Sequence, residues 1–287
     1  MLDPNLFNTV LVFPILNLLM GFYKLFLIIK LPAAFGLSII TLTGVVRLIF
    51  HPFFKQQMET ARKMQQIKPH LDHLSKKHKA EPKKLQEEQA KLYKQAGINP
   101  ATGCLFMLIQ IPIFIALYRT LSVFFLNTHG AATIKAINNA LYFDWIKIQN
   151  LDLWFFGFNL ALTPSKAGPQ HWYYYAIPLV TALLQYLQVV TSTPPAAPET
   201  QGKKGEKTST GEDFQKAMNT QMKVIFPLMI GWFSFTLPVG LSLYWNIFSL
   251  FSIIQNKRMN PDAKLLDLPP IVPVEEKEEK KEKAEKK

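Results

Sequence analysis

Long runs of apolar residues, separated by segments that hold most of the charges, are the feature of this sequence that most constrains its fold. The runs cover residues 35–54, 103–126, 172–191, 223–238 and 239–256. A helix of about 20 apolar residues crosses the hydrocarbon layer of a bilayer, whereas a soluble core rarely needs such runs. The sequence therefore predicts an all-α membrane protein with five transmembrane helices.

The last two of these helices come from one apolar stretch. Residues 223–256 are too many for one ordinary span, and Pro238 followed by Gly240 interrupts a helix near the middle. Proline lacks a backbone N–H and its ring clashes with the preceding turn. We therefore expect a tight hairpin of two short spans.

The N-terminal residues 1–34 contain a further apolar stretch. Asn17, Gly21 and Lys24 recur at helical spacing and form one polar stripe on it. A stripe that includes a lysine favours an interfacial amphipathic helix with its polar edge toward water. A sixth span is the alternative. A cleaved signal peptide is not expected, because no basic region precedes the run.

The distribution of lysine and arginine predicts the orientation. Residues 55–101 contain eleven of them, whereas residues 127–171 contain three. Basic loops stay on the cytoplasmic side. We therefore expect residues 55–102, 192–222 and 257–287 in the cytoplasm and residues 127–171 outside.

The segment 55–102 is predicted to form a helical hairpin. Residues that are mostly apolar recur at heptad spacing on both sides of Pro82, which suits a first helical turn; the two series are Met64, Ile67, Leu71, Leu74 and Leu85, Gln89, Leu92, Ala96. Its eleven basic residues outnumber its five acidic ones, which makes it a candidate for binding ribosomal RNA or anionic lipid. The alternative is that these charges only keep the segment on the cytoplasmic side of the membrane and bind no partner.

Residues 192–222 and 257–287 show no such period. The former are rich in proline, serine, threonine, glycine and lysine, which predicts a disordered linker. The latter alternate lysine and glutamate and form a nearly neutral charged tail.

Arg47 is the residue that points to a function. It is the thirteenth residue of the first span, where a guanidinium costs about 2.5 to 3.5 kcal/mol. The alternative, that the side chain reaches the headgroups, requires it to bridge about 11 Å of helix before Lys55. We therefore expect Arg47 to face a partner or a water-filled cavity.

Polar residues on other spans could line such a cavity. Thr43 lies one turn before Arg47, Gln185 and Gln188 share the third span, and the last span carries Ser242, Asn246 and Ser249 at positions i, i+4 and i+7. If these residues converge, they enclose a hydrated groove with one positive charge and no intramembrane carboxylate.

The sequence argues against an enzyme. His70, His73 and His78 lack the spacing of a helical zinc pair, so no metal site is expected. Nucleophile elbows, phosphate loops and dinucleotide motifs are missing as well, and no cofactor is expected. The single cysteine, Cys104, has no catalytic histidine beside it in the sequence and is interpreted as a small buried residue.

Several ordered motifs resemble the YidC/Oxa-type membrane protein insertases. Residues 99–118 read NPATGCLFMLIQIPIFIALY, which is similar to the family signature before and within its second core span. Arg47 with Pro52 downstream, the charged hairpin, and residues 240–246, GLSLYWN, follow the family in the same order. The resemblance covers residues 6–256 and is closest to the short bacterial YidC form, without a large external domain before the first core span.

The resemblance implies a groove open to the cytoplasm and the lipid and closed toward the outside. In the family the groove arginine, here Arg47, attracts acidic residues of a nascent protein, whose helix then moves past the groove into lipid. Gln188 and Trp245 match positions that line the groove, and Gln110 matches less clearly.

The function expected from these observations is a membrane protein insertase and chaperone. Nascent membrane proteins and the bilayer are the expected partners, the ribosome and the Sec translocon are further candidates, and the protein is expected to work as a monomer in the bacterial plasma membrane. A small-anion transporter or channel that uses Arg47 is the alternative, although five spans do not divide into equal inverted repeats.

Overall fold

A computed structural model describes residues 2–78, 81–98, 101–125, 131–192 and 221–258. They are mostly helical, which confirms the all-α class in this broad sense. Most of the predicted linker 192–222 and of the predicted tail 257–287 lies outside the described residues. The side chains of residues 101–110 lie outside them as well, including those of Cys104 and Gln110.

The described ranges contain nine α-helices and one two-stranded sheet. A π-helical turn, Asn8–Val12, leads into α1, 3₁₀ turns lead into α7, and a second π-helical turn, Gln221–Ile225, leads into α8. The helices are α1 Phe13–Ile28, α2 Ala34–Ile49, α3 His51–Lys77, α4 Pro82–Gln95, α5 Ala101–Phe125, α6 Ala131–Asn139, α7 Ala176–Ser192, α8 Phe226–Thr236 and α9 Val239–Arg258, and the strands are β1 Trp154–Phe155 and β2 Phe158–Asn159.

Two of these helical segments are long and apolar enough to cross a membrane by themselves, namely Asn8–Ile28 and Pro169–Thr191. The pair Ala34–Ile49 and His51–Met64 makes a third if it counts as one bent span, and Ile111–Phe125 and Lys223–Thr236 are shorter apolar helices. Length and composition do not fix how many helices cross, so the five-span arrangement stays a prediction.

The run predicted as the first span, residues 35–54, is divided between two helices. The helix α2 ends at Ile49, and α3 leaves it at an angle of 69°. Pro52 is the second residue of α3, where its ring disfavours a straight continuation of α2. Arg47 therefore lies in the last turn of α2 rather than seven residues before the end of a straight span.

The helices α2, α5, α7, α8 and α9 form one bundle. The helix α7 packs on both α8 and α9, and α9 packs on α2. The chain breaks between α8 and α9 at Leu237 and Pro238, where the sequence predicts a break, and Leu237 has an extended backbone. Leu179, Leu183, Leu228 and Trp232 face outward from α7 and α8, as suits helices surrounded by lipid.

The helix α4 folds back along α3 through a small apolar cluster. Ile67 packs with Leu92, Ala96 and Ile98, and Met64, Leu71, Leu74 and Tyr93 surround them. Arg62 on α3 donates a hydrogen bond of 3.1 Å to the backbone oxygen of Asn256 near the end of α9. The hairpin α3–α4 is thus tied at its base to α9.

Residues 131–175, here called the cap segment, cover the other end of the bundle. Phe155 of the cap segment packs so closely on Gly36 that a Cβ on this glycine would lie 2.0 Å from the ring. The backbone oxygens of Leu160 and Leu162 accept hydrogen bonds from the N–H groups of Gly240 and Val239, at 2.8 and 3.0 Å. The cap segment therefore satisfies backbone donors at the start of α9.

The helix α1 packs on α2 and α5 and also contacts the cap segment. Asn17 donates to the backbone oxygen of Ala140 at 3.0 Å and accepts from the N–H of Tyr142 at 2.6 Å. The hydroxyl of Tyr23 accepts from the N–H of Asp152 at 3.1 Å. The expectation that the polar stripe of α1 faces water is thus wrong for Asn17, which is buried in protein.

The Asn17→Leu substitution tests this contact. It should destabilise the fold by roughly 1 kcal/mol, because two partly buried backbone groups lose their partner. Hydrogen exchange at the Tyr142 amide should become faster. Leu25→Ala, at an exposed position of the same helix, is the control, and an unchanged exchange rate in Asn17→Leu would contradict the contact.

Candidate functional site

Arg47 is buried between α2 and α9, at the end of the bundle opposite the cap segment. Its side chain is 6% exposed. The distance along α2 from Gly36, which touches the cap, to Arg47 is about 16 Å. The last turn of a helix also favours a cation, since it carries the negative end of the helix dipole. The position of Arg47 in the last turn of α2 thus stabilises its charged form, whereas burial destabilises it.

The guanidinium is held by neutral acceptors on α9. Its Nη1 donates to Oε1 of Gln255 at 2.5 Å, and its Nη2 donates to the backbone oxygen of Phe248 at 3.1 Å and to the hydroxyl of Ser252. The amide Nε2 of Gln255 in turn lies 3.2 Å from Nδ1 of His51, the first residue of α3. Three helices therefore meet at this side chain.

Two aromatic rings enclose the same guanidinium. Its central carbon lies 4.3 Å from the ring centroid of Phe54 on α3 and 4.1 Å from that of Phe248 on α9. Cation–π attraction is stronger where the cation is desolvated, about 2 kcal/mol. The rings therefore offset part of the cost of burial and fix the plane of the guanidinium.

The described surroundings of Arg47 include no acidic partner. Within the described parts of the chain, no carboxylate forms an ion pair with Arg47, and its Nε has no hydrogen-bond partner. Among these residues the positive charge of Arg47 is therefore not compensated by an ion pair. An incoming anion is the ligand that such a charge favours most.

Arg47 borders a cavity of about 10 Å³, which is close to the space that one water molecule needs. The lining side chains are mostly apolar and come from α2, α3, α5 and α9; they are Thr43, Val46, Arg47, Phe50, Phe54, Ile113, Tyr244 and Phe248. Thr43 bonds to the backbone of its own helix, at Ile39. The pocket is closed in this conformation, and the hydrated groove stays a prediction.

A second cavity, of about 30 Å³, lies between α5, α7, α8 and α9. Ser242, Trp245 and Tyr244 line it, and Tyr244 borders both cavities. A chain of hydroxyls runs along its wall, from Thr181 to Ser234 at 3.1 Å and on to Ser242 at 2.7 Å. The two cavities thus lie on either side of one buried tyrosine.

Gln185 links α7 to α9. Its Oε1 accepts from the indole N–H of Trp245 at 2.9 Å and from the hydroxyl of Ser249 at 3.4 Å. Gln185 is 5% exposed, so these bonds satisfy an amide oxygen that burial would otherwise penalise. Gln185, rather than Gln188, is therefore the described partner of Trp245.

The remaining candidates are less directly connected to Arg47. Gln188 and Asn246 lie on α7 and α9, but neither is among the described residues that line the two cavities. The amide oxygen of Asn246 is buried and has no hydrogen-bond partner within the described ranges. The backbone of Gln110 belongs to α5, and its side chain lies outside the described residues.

Sequence reasoning missed Ser252, Gln255, Phe54 and His51. The first two continue the polar line on α9, since Ser252 and Gln255 follow Ser249 by three and six residues. Extending that line by two turns would have found them. Phe54 and His51 gave no such signal, because they reach Arg47 and Gln255 only through the bend after α2.

Comparisons with known proteins show which family this chain resembles. Residues 27–264 match the model of the family described as "60Kd inner membrane protein". The chain is 34% identical to "Inner membrane ALBINO3-like protein 1, chloroplastic" of Chlamydomonas reinhardtii, over 76% of this chain and 42% of that protein. It is 32% identical to "Membrane protein insertase YidC" of Chlamydia trachomatis, over 88% of this chain and 28% of that protein.

A third relative, "Membrane protein insertase YidC" of Caulobacter vibrioides, is 33% identical over 83% of this chain and 35% of that protein. The chain thus spans less than half the length of these three relatives. A solved structure described as an active YidC insertase with its first transmembrane domain resolved matches with a TM-score of 0.49 and 25% identity, over 90% of this chain and 48% of that one. Because the family model covers most of the sequence, this chain belongs to the YidC/Oxa-type family of 60Kd inner membrane proteins.

Proposed function

We propose that this protein is an insertase and chaperone, which moves nascent transmembrane segments and short acidic tails into the bilayer. The observation that carries the proposal is a buried arginine with neutral partners, in a chain whose relatives are named insertases. Arg47 attracts a carboxylate of the client tail. A charge-assisted hydrogen bond to that carboxylate is stronger than a bond to a neutral amide.

The client enters by opening the closed pocket. The cavity at Arg47 has room for about one water molecule, so α3 or α9 has to move before a polypeptide can reach the guanidinium. Water then fills the groove and shortens the hydrocarbon path for polar groups. Thr43, Ser242, Gln185, Gln188, Trp245, Asn246 and Gln110 are the proposed lining of the open groove.

The proposed topology is the one that the sequence predicts. Five spans place the hairpin α3–α4 and the C-terminus in the cytoplasm and the cap segment outside, in the plasma membrane of a bacterium. The bonds between the cap segment and the start of α9 support a groove that is closed on the outer side.

The helix α1 is proposed to lie in the outer interface. Asn8 contacts Arg119, and Tyr23 contacts Phe35, which packs on Phe124. Asn8 and Tyr23 are about 22 Å apart along the N-terminal helix, whereas Arg119 and Phe124, which Tyr23 reaches only through Phe35, are about 7.5 Å apart along α5. The difference supports a helix that crosses α5 at a steep angle rather than a sixth parallel span.

Nascent membrane proteins and lipid are the proposed partners. The basic hairpin is a candidate contact for the ribosome, the Sec translocon is a further candidate, and the protein works as a monomer. No catalytic step is part of this proposal.

Reconstitution tests the function. Liposomes that contain the purified protein should insert a single-span client with an acidic tail faster than empty liposomes, as measured by protease protection of the tail. Replacing the tail acids with asparagine and glutamine should slow insertion. Equal insertion with and without the protein would refute the proposal, and chloride flux through the same liposomes would favour the anion-channel alternative.

A further inference from the structure

We propose that Gln255 is a positioning residue, a neutral stand-in for the client carboxylate that holds Arg47 ready and is displaced when the client binds. This inference rests on the proposed insertase function. Gln255 belongs to the polar line of α9, and neither the family signature quoted above nor the expected groove lining includes it.

The contacts of Gln255 fit this role. Its Oε1 is the only partner of Arg47 Nη1 among the described residues, at 2.5 Å. Its Nε2 donates to Nδ1 of His51 at 3.2 Å. One amide therefore orients the guanidinium and connects it to the first residue of α3.

Burial distinguishes the two sides of the guanidinium. The Nη2 partners are the backbone of Phe248 and the buried hydroxyl of Ser252, whereas Gln255 is half-buried and its contact with His51 is exposed. A client carboxylate can therefore reach Nη1 by replacing Gln255, without breaking the bonds of Nη2. The exchange also releases His51 and so loosens the link to α3.

The chemistry explains why an amide stands at this position. A glutamine oxygen accepts a hydrogen bond but leaves the charge of Arg47 uncompensated. A carboxylate accepts the same bond and adds Coulomb attraction, so it competes successfully against the amide. A glutamate at position 255 would instead neutralise Arg47 permanently.

The Gln255→Glu variant tests the inference. We expect insertion of an acidic-tail client to fall at least about tenfold, because the client would have to displace a charge-assisted bond. The melting temperature should stay the same or rise, since the new carboxylate pairs with a buried cation. A merely structural role predicts that stability and insertion fall together, and that result would overturn the proposal.

Gln255→Met is the matched control, since it keeps the length of the side chain and carries no charge. It should lower the melting temperature and yet insert acidic clients faster than Gln255→Glu. A client with a neutral tail should insert equally well with Gln255→Glu and with the unaltered protein. If Gln255→Met were as defective as Gln255→Glu, charge at this position would be irrelevant and the inference would be wrong.

The same assay separates this inference from the proposed function. If the unaltered protein does not accelerate insertion, the insertase function fails. If the unaltered protein is active, Arg47→Ala is inactive and Gln255→Glu is fully active, the function stands and the role of Gln255 is refuted.

Discussion

Arg47→Ala should reduce the insertion of an acidic-tail client close to the level of protein-free liposomes. Two opposite charges 4 Å apart attract by about 4 kcal/mol at an effective dielectric constant of 20, which corresponds to a loss of rate of roughly a thousandfold. The fold should survive, because removing a buried cation also removes its desolvation cost. Protease protection in liposomes and thermal denaturation in detergent measure the two effects.

Arg47→Lys is the matched control for charge. Lysine keeps the positive charge, but its ammonium group cannot form the same set of hydrogen bonds to Gln255, Phe248 and Ser252. It also cannot stack as a planar group between the rings of Phe54 and Phe248. We expect insertion between that of arginine and that of alanine. If Arg47→Ala inserted the client at the original rate, an essential attraction by this residue would be excluded.

Gly36→Val should destabilise the fold by about 3 kcal/mol. A Cβ at this position would lie 2.0 Å from Cδ2 of the Phe155 ring and 2.6 Å from its Cγ. Because Cγ is the ring atom attached to the rest of the side chain, rotation of the ring alone does not relieve the clash. Overpacking of this kind costs about 1 to 3 kcal/mol, and valine gains only a few tenths over glycine in helix propensity. Thermal denaturation in detergent, followed by tryptophan fluorescence, measures the loss.

Two further variants decide whether contact with Phe155 is the cause. Gly21→Val on α1 is the control, since a Cβ there meets nothing within 4 Å, and it should leave the stability nearly unchanged. In a Phe155→Ala background, Gly36→Val should cost much less, because the ring is absent. Equal costs in both backgrounds would show that the substitution acts on the helix alone.

The sequence predicts the broad fold and the central residue of the site because both depend on composition and local spacing. Apolar runs identify helices that suit lipid, and Pro238 marks the break between α8 and α9. The charge of Arg47, with no acidic residue in the same apolar runs, is visible without coordinates. Part of the two heptad series around Pro82, including Ile67, Leu92 and Ala96, lies in the contact between α3 and α4.

The surroundings of Arg47 could not be predicted, because they depend on how helices that are distant in sequence meet. Phe54 faces Arg47 only because α3 turns away by 69° after Ile49. Gln185 lies within bonding distance of Trp245 through the packing of α7 on α9, and a spacing rule does not select it over Gln188. The prediction that Asn17 faces water is wrong for the same reason, since its hydrogen-bond partners are more than 120 residues away in the sequence.

The hydrogen bonds from Val239 and Gly240 to Leu162 and Leu160 have a consequence for evolution. Both donors and both acceptors are main-chain groups, so these bonds do not depend directly on the identity of exposed side chains around them. Substitutions at exposed positions of the cap segment can therefore alter its surface while these two bonds persist. Insertions, deletions or a proline that changes the path of the backbone would break them, and so would a side chain at position 240, where a Cβ would lie 2.0 Å from the Phe125 ring.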